Sequence, residues 1–124
     1  MTIISSVYVP EGIVLSADSR LTGSKNYGNG QRDRFTLSDN SQKIALLQNS
    51  KIGVSFCGDA IIDGKTVADF LRVFDINEIN DEDNVEEVAI KLHKYLDQQY
   101  KEYNVHFIIG GYHNDEPFVY WVDK

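Results

Sequence analysis

A chain of 124 residues with 42% hydrophobic and 25% charged side chains has the size and composition of one globular domain, which excludes a disordered or fibrous protein. Nineteen acidic residues against twelve basic ones leave a net charge of −7, so a broad electrostatic grip on nucleic acid or anionic lipid is excluded as well. No stretch is apolar and long enough to span a bilayer, the opening carries no secretory pattern, and a single cysteine, Cys57, rules out an internal disulfide framework, so a reducing compartment, the cytoplasm, is expected.

Residues 2–9 are rich in Ile, Val and Tyr, Pro10-Glu11-Gly12 supplies turn chemistry, and residues 13–17 are apolar again, which predicts a β-hairpin. Residues 21–40 turn polar and glycine-rich around GSKNYGNGQRDR, with neither strand nor helix periodicity, and a long functional or mobile connection is expected there. The apolar runs 43–47 and 52–57, separated by Gln48-Asn49-Ser50-Lys51, read as a second hairpin that ends at Gly58.

Val67, Ala68, Leu71 and Phe74 fall at helical spacing and predict a short amphipathic helix, followed by an acidic linker over 77–83. Asn84, with Glu87 three residues on, has the form of a capping box. The apolar face from Val85 through Val88, Leu92 and Leu96 to Tyr103 predicts about five turns of helix at 3.6 residues per turn. Residues 105–112 and 118–122, joined by a turn-rich segment, complete an order of four strands, two helices and two strands, an α/β fold of the α+β kind. Two helices cover one face of one sheet, so either the sequence belongs to a longer chain or another subunit supplies the remaining cover.

Three residues bear on nucleophilic catalysis: Thr2, Asp18 and Lys43. Loss of the initiator Met1 leaves Thr2 with a hydroxyl and a free α-amine on one residue, and an α-amine of reference pKa about 7.7 to 8.0 can serve as base to its own hydroxyl. The hairpin turn brings Asp18 back beside Thr2. Lys43 opens the third strand, where its ammonium would favour the deprotonated hydroxyl while Asp18 holds it in place. The backbone N–H near Gly58 is placed to donate to a developing oxyanion.

Each of these residues also has a plainer reading: Thr2 as a β-prone strand opener, Asp18 with Arg20 as a surface ion pair, Lys43 as a solvated strand end and Gly58 as a turn glycine. Cys57 reads as a small buried residue. Tyr95, Tyr100 and Tyr103 read as packing or subunit contact. His93, His106 and His113 lack metal-ligand spacing, so no metal or cofactor is expected.

TIISSVYVPEGIVLSADSR resembles the N-terminal hairpin of the proteasome β-subunit family and of its simpler bacterial relative, the two-component ATP-dependent peptidase. Thr2 falls at that family's catalytic threonine and Asp18 at the acid of an A-D-[ST]-R-like motif. DNSQKIALLQNSKIGVSFCGDA resembles the third and fourth strands, with Lys43 at the catalytic lysine and Gly58 at the oxyanion-hole glycine, and HFIIGGYHNDEPFVYWVD resembles a later hairpin. Residues 21–42 are longer than the family's usual connection. The family also continues well past Val122, so a single domain over 1–124 that is incomplete at its C-terminus is expected.

The resemblance implies the αββα sandwich of the N-terminal nucleophile hydrolases and threonine-type cleavage of peptide bonds through an acyl-enzyme. It further implies a peptide or protein substrate, a ring-shaped homo-oligomer and an ATPase partner. Two other readings stay open beside it: a non-catalytic structural subunit of such an assembly, and an amidase of the same superfamily.

Overall fold

The computed structural model describes residues 2–39 and 41–124, and the removal of Met1 therefore concerns a residue outside those described. Strands β1 (Ile4–Val9) and β2 (Gly12–Ala17) pair antiparallel around the expected turn, with Val9 opposite Gly12 and Ile4 opposite Ala17. The next segment departs from the expectation of an irregular connection. Strands β3 (Leu21–Asn26) and β4 (Arg32–Ser38) form a two-stranded antiparallel ribbon with a register shift at its root, between Leu21 and Thr22. At the tip, Gly28 and Gly30 adopt φ of 76° and 86°, and the side-chain oxygens of Asn26 and Asn29 accept from the N–H groups of Gly28 and Gln31, each at 3.1 Å. Among the described residues the ribbon makes no substantial contact with any other element, and strands that pack on no other element need not show the two-residue apolar period of a half-buried strand.

Strands β5 (Ile44–Leu47) and β6 (Ile52–Gly58) form the second expected hairpin. Its turn is unusual: Gln48, Asn49 and Ser50 all have φ between 52° and 67°. Gln48 is buried and holds the turn against the helices, its N–H donating to Asp75 Oδ1 at 3.1 Å and its Nε2 to the carbonyls of Asn80 and Asp83 at 2.9 and 2.7 Å. A short ribbon that periodicity does not reveal, β7 (Ile61–Ile62) with β8 (Lys65–Thr66), leads into helix α1 (Val67–Glu78). The Thr66 hydroxyl caps that helix by accepting from Asp69 N–H.

Helix α2 (Val85–Gln99) opens with the expected capping box, Asn84 Oδ1 accepting from Glu87 N–H at 2.8 Å and Glu87 Oε1 from Asn84 N–H at 3.3 Å. It is about a turn shorter than the apolar face predicts. Tyr100 closes it and leaves the helical path, yet Tyr95, Tyr100 and Tyr103 still cluster, with the Tyr95 and Tyr100 rings 5.6 and 5.0 Å from that of Phe70. Packing prolongs the apolar pattern past the end of the helix. Burial first, and then the Tyr100 hydroxyl, push the Tyr95 phenol up to about 12.

Strands β9 (Val105–His113) and β10 (Glu116–Val122) follow and complete an antiparallel sheet of order β10-β9-β6-β5. Among the described residues the element order is therefore eight strands, two helices and two strands, not four, two and two. Strand alternation divides the sheet into two faces. Val54 and Phe56 of β6 with Phe107 and Ile109 of β9 are buried in one core with Leu71 and Phe74 of α1 and Val88 and Leu92 of α2.

The opposite face carries Gly53 and Gly110, and the β1–β2 hairpin lies on it. A Cβ added at Gly53 would come within 3.0 Å of Leu15 Cδ1, and one at Gly110 within 3.1 Å of Ile13 Cγ2. The result is a mixed α+β arrangement in three layers, with the hairpin on one side of the sheet and the helices on the other.

Candidate active site

The register of the first hairpin determines where Asp18 goes. Asp18 N–H donates to the Ile3 carbonyl at 3.1 Å and Ile3 N–H donates back to Asp18 Oδ1 at 3.0 Å, so the carboxylate stands next to Thr2. Lys43 arrives from the other layer. Its carbonyl accepts from Phe56 N–H at 3.1 Å, which anchors the start of β5 to β6 and leaves the side chain pointing toward the hairpin.

The Lys43 ammonium meets the Thr2 hydroxyl oxygen at 3.1 Å, the two Asp18 carboxylate oxygens at 3.2 and 3.1 Å, and the Arg20 carbonyl at 2.5 Å. The Lys43 side chain is 8% exposed and that of Asp18 32%, so the pair is shielded on the lysine side and partly open on the carboxylate side. Burial alone would raise the Asp18 carboxyl. The Ile3 N–H, the Lys43 ammonium and the Arg20 N–H outweigh it and hold the group below the ordinary carboxylate value.

Gly58 closes β6 with φ of +105°, and a Cβ there would fall 2.1 Å from the Asn104 carbonyl oxygen. Both the backbone conformation and the close approach demand glycine. Beyond it Asp59 N–H donates to that same carbonyl at 2.8 Å, while Asp59 Oδ2 accepts from Asn104 N–H at 2.7 Å. Thr2, Lys43 and Gly58 line one cavity of about 310 Å³, together with Cys57, Leu21 and Ile61. Three sequence-predicted residues, Thr2, Asp18 and Lys43, are thus in direct contact, and the fourth, Gly58, borders the same space.

Such an arrangement has a defined chemical capacity. A hydroxyl beside a shielded ammonium is biased toward its alkoxide form, and the ammonium is itself held by a carboxylate that stays ionised.

A family model for the proteasome subunit matches residues 2–124. The chain belongs to the proteasome subunit family. That family includes threonine peptidases, and its subunits assemble into oligomers. No curated protein matches this proteasome-family chain.

Two readings of the residues around the site need correction. Arg20 does not pair with Asp18 through its side chain; the guanidinium Nε reaches Asp39 at 2.7 Å across the root of the β3–β4 ribbon. Arg20 contributes to the site through its backbone: its carbonyl accepts from the Lys43 ammonium and its N–H donates to Asp18 Oδ2 at 3.3 Å. Cys57 is half-buried and not a core residue, because it lines the cavity, where burial pushes its thiol up against the opposing pull of the Lys43 charge. Neither role leaves a residue-type signal, since a carbonyl is common to all residues and the position of Cys57 depends on which face of β6 it occupies.

Proposed function

We propose that the chain is a threonine-type N-terminal nucleophile hydrolase that cleaves peptide bonds through an acyl-enzyme, on an αββα sandwich to which it contributes the hairpin, sheet and helix layers described above. The reading is carried by one observation, the shielded Lys43 ammonium spanning the Thr2 hydroxyl and Asp18. Thr2 Oγ attacks the scissile carbonyl carbon and its proton passes to the α-amine that removal of Met1 exposes. Lys43 stabilises the developing alkoxide, Asp18 positions Lys43, and the Gly58 N–H donates to the oxyanion. Collapse of the tetrahedral adduct expels the peptide amine, which takes the proton from the Thr2 ammonium. Water, deprotonated by the same amine, then releases the ester from Thr2. Peptides or proteins are the proposed substrates, a homo-oligomer the proposed working form and an ATPase the proposed partner.

Intact-mass analysis of the purified protein tests the reading. The expected outcome is loss of the initiator methionine and one covalent adduct from a peptide bearing an electrophilic C-terminus, absent in Thr2→Ala and retained in Thr2→Ser. Retention of Met1 with no adduct would overturn the proposal and leave a structural subunit in its place.

A further inference from the structure

The β3–β4 ribbon is the one long element pair that the rest of the described residues leave uncovered. An isolated two-stranded hairpin is at best marginally stable in water, so a ribbon of six and seven residues per strand calls for a surface to lie on. Among the described residues, no other element of the same chain packs substantially against it. The ribbon is nonetheless well built: Tyr27 donates its hydroxyl to Asp33 Oδ2 at 2.8 Å, the Lys25 ammonium sits 5.2 Å from the Tyr27 ring centre, and two asparagine side chains fasten the tip. Tyr27 and Phe35 are both about half exposed, and Lys25 and Arg34 make no ion pair among the described residues.

Charge indicates what the ribbon fits. Residues 20–39 hold Arg20, Lys25, Arg32 and Arg34 against Asp33 and Asp39, a surplus of +2, so the rest of this −7 chain carries −9. The acidic excess is most concentrated over residues 78–87, which contain six carboxylates and no basic side chain. Glu78, Asp81, Glu82 and Glu86 are exposed there without ion pairs among the described residues, and Ile76 beside them is 75% exposed. Lys91 donates to the Glu78 carbonyl at the end of helix α1 and to Asp83, which leaves the side chains of Glu78, Asp81, Glu82 and Glu86 as the patch's exposed charge. One surface pairs cations with exposed aromatics, and the other pairs anions with an exposed aliphatic.

We propose that the β3–β4 ribbon of one copy docks on the acidic α1–α2 connection of the next copy, through Lys25 and Arg34 against Asp81 and Glu82. The inference rests on the chain working as a homo-oligomer and names the contact that builds it. Because ribbon and patch are different surfaces, the contact is head-to-tail, and each copy both gives a ribbon and receives one. Docking also bears on the site. Leu21 and Thr22, at the ribbon's irregular root, line the cavity, and the Arg20 carbonyl just before them holds the Lys43 ammonium, so a seated ribbon steadies one of the four oxygens around that group.

Sedimentation velocity on the full chain at low and high salt tests the contact. Three variants are needed: Lys25→Glu with Arg34→Glu, Asp81→Lys with Glu82→Lys, and all four changes together, each first verified as folded by its thermal unfolding profile. The expected result is that either pair of reversals weakens self-association by about tenfold or more, that the combined variant regains it, and that salt weakens the wild type. Association that is unchanged by the reversals overturns the ribbon contact while leaving an oligomer built through another surface. Weakening without recovery in the combined variant also overturns it. A wild type that stays monomeric at every concentration removes the oligomer itself, and the ribbon contact with it.

Discussion

An ammonium as shielded as that of Lys43 is stable only among oxygens, and Asp18 supplies the two that carry charge. Asp18→Asn therefore leaves a buried cation with neutral partners, and a loss of about 2 kcal/mol is expected in urea unfolding, between the value of an exposed pair and that of a fully buried one. The folded Asp18 carboxyl lies below its ordinary value, so its contribution is complete above the unfolded pKa of about 3.9 and disappears as pH falls through the lower folded value. Stability measured against pH is expected to lose this acid limb in Asp18→Asn. Lys43→Met keeps the stem and removes the charge, and hydrolysis is expected to fall by about 100-fold or more. The juxtaposition of Thr2 and Asp18 is legible in the sequence because a tight hairpin turn fixes which residues face each other across it. The partner of Arg20 is not, because Asp39 reaches it only through a ribbon whose register leaves no apolar trace.

Among the elements, the turn between β5 and β6 holds three consecutive residues in the left-handed region, a conformation that persists only where surrounding contacts enforce it. Gln48 supplies them by tying the turn to the segment between α1 and α2. Gln48→Ala strands those carbonyls and is expected to lower stability by about 1–3 kcal/mol, read from the shift in denaturation midpoint. The end of β6 is less forgiving. Gly58→Ala meets both a positive φ and a carbonyl oxygen within the volume of the new methyl group, so a loss of at least about 2 kcal/mol is expected, together with a displaced cavity wall. Helix α2 is legible because its cap and its apolar face agree, while its C-terminus is not, since tyrosines that leave the helix continue to pack where the next turn would have placed them.

At the scale of the whole molecule, the candidate site is divided between layers: Thr2 and Asp18 belong to the hairpin, Lys43 and Gly58 to the sheet beneath it. Gly53 and Gly110 set the spacing between those layers. Gly110→Val inserts bulk against Ile13, and overpacking of about 1–3 kcal/mol is expected, with hydrolysis falling further than stability because Thr2 and Lys43 are pushed apart. Melting temperature and turnover measured on the same preparation separate the two effects. The bond between Lys43 and Thr2 spans 41 residues of chain, so it is among the contacts that form only once distant segments have met. On the threonine-hydrolase proposal, a copy still leaving the ribosome carries its nucleophile early but has no ammonium placed beside it, and would become active only once its own tertiary structure closes.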